Sequence, residues 1–203
     1  MTSLETEEKK SSYHRGDLQQ DLIKNVLSHL ANGQDIPSFR FLAKELGVTH
    51  PAIYRHFKNR DQLIATVVSH SFKELREGFL ASAQKAEDPA QKLMDMTEFF
   101  FRFFTKRPGL LDYMFGHQYE TLKENCSIHL SADPVFDFVA SIVSQLPNPP
   151  KRPDQYAVNL WAQGYGFVCL YLSKRLPRHA PNDEAALKML LDGIMFSATG
   201  IDR

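Results

Sequence analysis

The spacing of its apolar residues constrains the fold of this 203-residue chain more than any other feature of the sequence. Apolar residues recur three, four or five positions apart, as in the series Leu18, Leu22, Ile23, Val26, Leu27 and Leu30. This is the spacing of one apolar stripe on a helix. No run of Val, Ile and Thr alternates with polar residues in the way that a half-buried strand requires. The sequence therefore predicts an all-α fold.

Capping residues, glycines and prolines divide the chain into nine predicted helices. Ser38 and Thr49 are typical N-cap residues, Gly47 ends a short helix, and Pro51 suits a first helical turn. The predicted helices cover about 17–31, 38–46, 50–57, 59–87, 90–106, 110–115, 134–146, 154–176 and 183–198. Between them, residues 116–131 are polar and weakly patterned, which predicts a mobile connection. Residues 1–14 have too few apolar groups to be ordered and are predicted to form a flexible tail.

The charge balance excludes a globally basic nucleic-acid-binding protein. Lys and Arg together number 24, as do Asp and Glu, so any electrostatic footprint for DNA must be local. Cys126 and Cys169 are too few for a disulfide scaffold and fit the reducing cytoplasm. No window approaches 18 uninterrupted apolar residues, so no membrane span is expected.

The segment from Ser38 to Arg60 has the dimensions of a helix-turn-helix. Two short helices are joined through Gly47, and in this motif the second helix enters the major groove of DNA. His50 and Tyr54 lie one turn apart on its exposed face. Against a single acidic residue, Glu45, the segment has five basic residues, which are Arg40, Lys44, Arg55, Lys58 and Arg60. Cations can bind phosphates, and polar or aromatic groups can contact base edges. The segment therefore predicts a DNA-binding surface.

Residues 39–63, FRFLAKELGVTHPAIYRHFKNRDQL, resemble the DNA-binding signature of the tetracycline-repressor (TetR) family, and the resemblance begins at about Arg15. It rests on the apolar spacing, Gly47, the Tyr54-x-x-Phe57 pair and the polar residues 58–61. It implies that a residue like Arg40 reaches DNA from the first short helix and that residues like Thr49, His50 and Pro51 meet base edges. The residues that it implies to hold phosphates are Tyr54, His56, Lys58 and Arg60. The implied DNA-binding residues are Arg40, Thr49, His50, Pro51, Tyr54, His56, Lys58 and Arg60. The His50-Pro51 pair departs from the small residues with glycine that many members have there.

A second resemblance covers the C-terminal part of the chain. Residues 108–115, PGLLDYMF, and 161–166, WAQGYG, are similar to a branch of the family whose eighth helix is marked by a Trp, a His-Gly pair and a Leu. Tyr165 stands where that branch has His. The resemblance implies a helix-turn-helix domain at 15–62 and a ligand-binding and dimerisation domain at 63–203. In this architecture the last two helices of each subunit form a four-helix homodimer interface.

Aromatic residues predict a ligand cavity in the second domain. Five phenylalanines between 99 and 104 cover most of one helix, and an aromatic interior with few polar groups suits an apolar ligand. The expected cavity is bounded by Phe100, Phe104, Tyr113, His117, Trp161 and Tyr165. We expect a hydrophobic or aromatic effector, unless Arg102 faces inward and pairs with a carboxylate.

Apolar rows on the last two helices predict the homodimer interface. These rows, too numerous for one subunit, contain Tyr156, Leu160, Phe167, Tyr171, Leu187, Leu190, Leu191 and Ile194. Gly164 and Gly166 each weaken a helix, which indicates close approach of another backbone, either a second subunit or a neighbour within one subunit.

The function expected from the sequence is that of a homodimeric, one-component transcriptional repressor that leaves a palindromic operator when a small molecule binds. No catalytic motif appears, and Cys126 with His129 cannot close a metal site, so neither an enzyme nor a metal or cofactor site is expected. The alternative is an all-α ligand carrier or redox sensor with a vestigial DNA-binding motif, in which Cys126 or Cys169 is the reactive group.

Overall fold

A computed structural model describes residues 15–116, 126–176 and 182–199. Nine helices are present in these ranges, with no β-strand among them, so the all-α prediction is confirmed. The predictions for the tail 1–14 and for His117 lie outside the described residues, as do the side chains of Cys126 and His129. Within the same ranges no helix is long and apolar enough to cross a lipid bilayer.

Three helices form the N-terminal unit: α1 (Arg15–Ala31), α2 (Phe39–Glu45) and α3 (His50–Tyr54). The Ser38 hydroxyl caps α2 by accepting a hydrogen bond from the backbone N–H of Phe41, at 3.3 Å. The third helix ends three residues earlier than predicted. The backbone N–H groups of His56 and Phe57 both donate to the carbonyl of Ile53, which closes a tight turn instead of extending the helix.

Six helices form the larger unit: α4 (Arg60–Ala83), α5 (Pro89–Thr105), α6 (Leu110–Phe115), α7 (Cys126–Val143), α8 (Pro153–Leu172) and α9 (Asp183–Thr199). Asn59 and Asp88 cap α4 and α5 by accepting from the third backbone N–H of each helix. Helix α4 packs against α5 and α7, and α5 also packs against α8 and α9. Because α4 touches α1 and α6 as well, it joins the two units.

The start of α7 corrects two predictions. The expected helix began after Asp133, and residues 116–131 were expected to be a mobile connection, but α7 already begins at Cys126 and runs through Pro134. The part of that expected connection at 117–125 lies outside the described residues. A proline inside a helix removes one backbone hydrogen bond and costs about 3 kcal/mol. Tertiary packing offsets that cost, because Ala132, Val135 and Ile142 are buried where α7 meets its neighbours.

Candidate DNA-binding interface and effector cavity

The turn between α2 and α3 is fixed by a glycine in the left-handed region. Gly47 has a φ of +65°, and a side chain there would meet nothing within 4 Å. Backbone conformation, not space, therefore requires glycine at this position. The next residue, Val48, donates its backbone N–H back to the carbonyl of Ala43 at 3.0 Å, which closes the end of α2.

Buried side chains hold α2 and α3 in a fixed relation. Phe39, Leu42 and Ala43 of α2 are buried, as are Ile53 of α3 and Phe57 of the following turn. They share one core with residues of α1 and α4. The other faces of α2 and α3 are left to solvent, which is the arrangement that a helix-turn-helix needs to enter a groove.

Most of the residues expected to bind DNA lie on this exposed surface, namely Arg40, Thr49, His50, Pro51, Tyr54 and Lys58. Tyr54 is 49% exposed, and its ring packs edge-on between Phe39, at 5.2 Å, and His50, at 5.0 Å. The ring of His50 is therefore held by Tyr54 at the start of α3. His56 is half-buried.

Glu45, the one acidic residue of the motif, is paired with a histidine of α1. His29 Nε2 lies 2.8 Å from Glu45 Oε2, and His29 Nδ1 lies 2.7 Å from Gln34 Oε1. The hydrogen bond with Glu45 raises the pKa of His29, and the same bond lowers the pKa of the Glu45 carboxyl. This pair also joins α1 to α2, while Arg40, Lys44, Arg55 and Lys58 remain exposed.

Arg60 was expected to hold a phosphate, but the structure places it at the junction between the two units. Its guanidinium donates to the carbonyl of Ile36 at 3.1 Å and to the Tyr113 hydroxyl at 3.5 Å. It also lies 3.7 Å from the Asp35 carboxylate, and 43% of its side chain stays exposed. A role for Arg60 in phosphate binding thus remains a proposal, and it would compete with these contacts.

Asp35 and Tyr113 are junction residues that the sequence did not identify as a pair. The buried Tyr113 hydroxyl donates a hydrogen bond to the Asp35 carboxylate, across 78 positions of sequence. This bond lowers the pKa of Asp35, and burial together with the same bond raises the pKa of Tyr113. No local sequence signal could connect two residues so far apart.

Helix α6 approaches the end of α1 closely enough to favour a glycine. The backbone N–H of Gly109 donates to the carbonyl of Leu30 at 3.1 Å. A Cβ on Gly109 would lie only 3.1 Å from that same oxygen and 3.2 Å from the carbonyl oxygen of Gln34. Helix α6 therefore rests directly on the DNA-binding unit at its N-terminus and through Tyr113.

An apolar cavity of about 60 Å³ lies between α4, α5, α7 and α8, close to the C-terminal end of α6. Its aromatic lining consists of Phe72, Phe79, Phe100, Phe115, Phe136 and Trp161. The other described lining residues are aliphatic side chains, Met96, Gly164 and Thr97, and none of them is charged.

Phe100 and Trp161 line this cavity as expected, whereas three other candidates do not. Phe104 is fully buried behind Phe100, with ring centroids 4.8 Å apart. The ring of Tyr165 stacks on Trp161 at 5.7 Å, and the hydroxyl of Tyr113 is bonded to Asp35. The prediction that these three bound the cavity is thus corrected, because neighbouring rings and the junction already occupy their side chains.

Phe115 of α6 is one of the aromatic lining residues that the sequence prediction missed, besides Phe72, Phe79 and Phe136. Its ring contacts Phe72 of α4, Phe104 of α5 and Trp161 of α8, with centroids 5.4 to 5.8 Å apart. The sequence feature that could have identified Phe115 is its position at the end of a short helix with aromatic residues. Arg102, which could have faced inward, bonds Glu98 at 2.8 Å and Glu184 at 3.3 Å and does not line the cavity.

The structure also shows where the predicted interface residues and the glycines of α8 and α9 lie. Leu160, Leu187, Leu190 and Ile194, expected at a dimer interface, are buried inside the subunit, because α5 packs against both helices. A Cβ on Gly164 would contact the Phe100 ring at 3.5 Å, so that glycine serves packing within the subunit. A Cβ on Gly166 would meet nothing within 4 Å.

The described part of the chain suggests no metal centre, since no group of three His, Cys, Asp or Glu residues within it could hold an ion. Cys169 is a half-buried free thiol. The alternative of a redox sensor stays a prediction, with the side chain of Cys126 outside the described residues.

A helix-turn-helix followed by a larger helical unit with an internal apolar cavity defines a class of DNA-binding transcriptional regulators. Residues 36–67 match the family described as "Bacterial regulatory proteins, tetR family", and residues 93–194 match "Tetracyclin repressor-like, C-terminal domain". The second match spans half of the chain. The chain belongs to the TetR family.

The chain is also similar to two curated relatives. Nucleoid occlusion factor SlmA of Haemophilus influenzae is 27% identical over 89 residues, which are 44% of this chain and 41% of the relative. The chain thus spans about two fifths of that relative's length. SlmA of Marinobacter nauticus is 24% identical over 138 residues, 68% of this chain and 70% of the relative.

The fold is similar to that of solved structures with little sequence identity. A Rhodococcus sp. RHA1 protein of unknown function has a TM-score of 0.77 at 20% identity, covering 96% of this chain and all of that one. A TetR-like transcriptional regulator from the same organism has a TM-score of 0.67 at 14% identity, covering 94% and 100%. These similarities concern the fold alone.

Proposed function

We propose that this TetR-family regulator is a homodimeric repressor in the cytoplasm that leaves a palindromic operator when a small apolar molecule enters its cavity. The observation that carries the proposal is the position of α6. One end of this helix supplies Phe115 to the cavity, and the other end rests on α1 through Gly109. Tyr113, between them, is bonded to Asp35, which lies shortly before α2 in the chain.

Effector binding can act through α6 because the cavity is small. A ligand that needs more than about 60 Å³ must displace lining side chains, and Phe115 is the one that belongs to α6. Displacement of Phe115 shifts the helix that contacts the DNA-binding unit. The ligand then favours the state of lower operator affinity by its differential binding to the two states.

Selection of bound DNA from a random library is the first test. Two helix-turn-helix units related by a two-fold axis should select a palindrome whose half-site centres are roughly 34 Å, or a multiple of it, apart. Adding the protein to transcription from a promoter that carries this sequence should lower transcript yield. A selected site without symmetry, or a raised yield, would contradict the proposal.

Helix α8 supplies support for the homodimer. Val158 and Leu170 are 48% and 45% exposed on the same side of α8 as Gly166, and Phe196 of α9 is 56% exposed. Large apolar side chains exposed together on two adjacent helices are typical of a subunit interface. We therefore place the four-helix interface on this face, around Gly166, instead of on the buried leucines expected from the sequence.

Substitutions on the exposed DNA-binding face should separate phosphate contacts from base contacts. Lys58→Ala is expected to weaken binding to all sequences and to lower the salt dependence of log K by about one unit. His50→Ala is expected to relax the preference at one or two base pairs. Both are measured by binding titrations and repeated selection, with the exposed Lys73→Ala in α4 as the control. An unchanged selected sequence for His50→Ala would exclude His50 as a base-reading residue.

Tyr113→Phe should weaken the coupling between cavity and DNA without weakening ligand binding. It removes the hydroxyl that donates to Asp35 and that accepts a long, 3.5 Å hydrogen bond from Arg60. The change in operator affinity caused by a bound effector is expected to fall by about 1 kcal/mol, roughly fivefold, the net value of one hydrogen bond. The matched control is Tyr171→Phe, which removes a similar Tyr–Asp bond, to Asp183, between α8 and α9. Equal effects of the two variants would argue against a special role of the junction.

A further inference from the structure

The cavity contains very few polar atoms, and their partners differ. Among the described lining residues, Thr97 and Trp161 are the two whose side chains carry an N–H or O–H group. The Thr97 hydroxyl donates to the carbonyl of Leu93 at 2.7 Å, so its hydrogen is already used. The indole N–H of Trp161 is buried and has no hydrogen-bond partner within the part of the chain that the structure describes.

Aromatic rings surround the indole of Trp161. Phe115 lies 5.4 Å away, Phe136 lies edge-on at 5.5 Å, and Tyr165 stacks at 5.7 Å. A buried N–H without an acceptor is costly, since it has lost its hydrogen bonds to water and gained none in return. The described cavity lining therefore includes one residue, Trp161, whose side-chain donor is unused.

The lining also opposes a charged ligand. A carboxylate or ammonium in this cavity would lose its hydration and find no described counter-charge, because Arg102 is bonded to Glu98 and Glu184 outside it. Burial raises the pKa of the neighbouring Tyr165 to about 12, so its phenol stays neutral at physiological pH.

We propose that the effector is a neutral, mostly hydrocarbon molecule with a single carbonyl oxygen, which accepts a hydrogen bond from Trp161 Nε1. This rests on the proposed function, in that the cavity is taken to be the effector site. It adds the chemical class of the effector and names Trp161 as the residue that selects it. The cavity of about 60 Å³ is smaller than the roughly 150 Å³ that holds benzene, so even the smallest aromatic ketone must displace lining side chains such as Phe115 to enter.

Three probes of similar size separate the possibilities. Ethylbenzene has no acceptor, acetophenone replaces its methylene with a carbonyl, and phenylacetate carries a charge. Trp161 is the only tryptophan, so the ¹⁵N-labelled full-length protein gives one indole N–H signal. Acetophenone should move that signal downfield with saturation, and ethylbenzene should not. Acetophenone should also bind roughly three- to tenfold more tightly than ethylbenzene, and phenylacetate should not bind.

Variants identify the donor. In Trp161→Phe, which keeps a ring but removes the N–H, acetophenone and ethylbenzene should bind equally, as followed through the methyl signal of Met96 in the cavity lining. Tyr165→Phe, the control, should keep the preference for the ketone. If Trp161→Phe does not fold, the wild-type protein alone tests the proposal, because the indole N–H signal reports directly on a hydrogen bond to the ligand.

Several results would overturn the inference. These are equal binding of acetophenone and ethylbenzene with an unmoved indole signal, a ketone preference that survives in Trp161→Phe, tighter binding of phenylacetate, or no binding of any probe. The first result would mean that the ligand's oxygen does not reach the indole N–H.

The proposed function can fail separately. If acetophenone binds through Trp161 and operator affinity is unchanged, the proposal that an effector controls DNA binding is wrong, whereas the proposed ligand chemistry is supported. If compounds without an acceptor release DNA as well as ketones do, the proposed ligand chemistry is wrong, whereas the proposal that an effector controls DNA binding is supported.

Discussion

Aspartates in place of both Val158 and Leu170 are expected to convert the protein into monomers and to lower operator affinity by about 10²- to 10⁴-fold. These side chains are about half exposed on the outward side of α8. Charges there would have to be buried between two subunits without partners, which opposes association. A monomer binds one half-site, so it loses the gain in affinity that comes from linking two DNA-binding units.

Sedimentation velocity and operator titration measure the two effects on the same preparations. The control is Ser141→Asp, at an exposed position of α7, which should remain dimeric. A doubly substituted protein that stays dimeric would place the interface on another face. A monomer with wild-type operator affinity would show that dimerisation does not contribute to DNA binding.

The helix-turn-helix could be predicted because its signals are local. Ser38, Gly47 and Asn59 act through backbone groups within three or four positions, so the sequence alone places the ends of α2 and the start of α4 to within a residue or two. Helix α6 was predicted with the bounds that it has in the structure for the same reason, since Pro108 and Gly109 precede it. Local rules failed at Pro134, where tertiary packing outweighs the usual effect of proline.

The junction and the cavity could not be predicted because they depend on packing between distant segments. Arg60 looks like any phosphate-binding cation in sequence, and only the fold brings it to Ile36 and Tyr113. Helix α8 has apolar residues around most of its surface, so its pattern could not tell which of them face α5. Once α5 covers one side of α8, Leu160 is inside and Val158 is outside.

Phe100 and Phe104 illustrate the same limit within one helix. They lie one turn apart on α5, both buried, and the sequence treats them as equal candidates for the cavity. Only Phe100 reaches the cavity, because Phe104 fills the space between Phe100, Phe103 and Phe115. Its expected role is therefore to fix the ring cluster behind the cavity, which a stability measurement can test.

Phe104→Ala is expected to lower the free energy of unfolding by about 3–5 kcal/mol, the usual cost of removing a buried phenylalanine ring from a close-packed core. Phe104→Leu, which refills most of the volume, should cost less than half as much. Denaturant titrations at one fixed protein concentration measure both, as midpoint shifts at constant slope. The matched control is Phe41→Ala, since Phe41 is 47% exposed and contacts His29 by one ring edge. A cost below about 2 kcal/mol for Phe104→Ala would mean that Phe100 and Phe115 close over the void, and the cluster would then be too soft to transmit the displacement of Phe115 to α6.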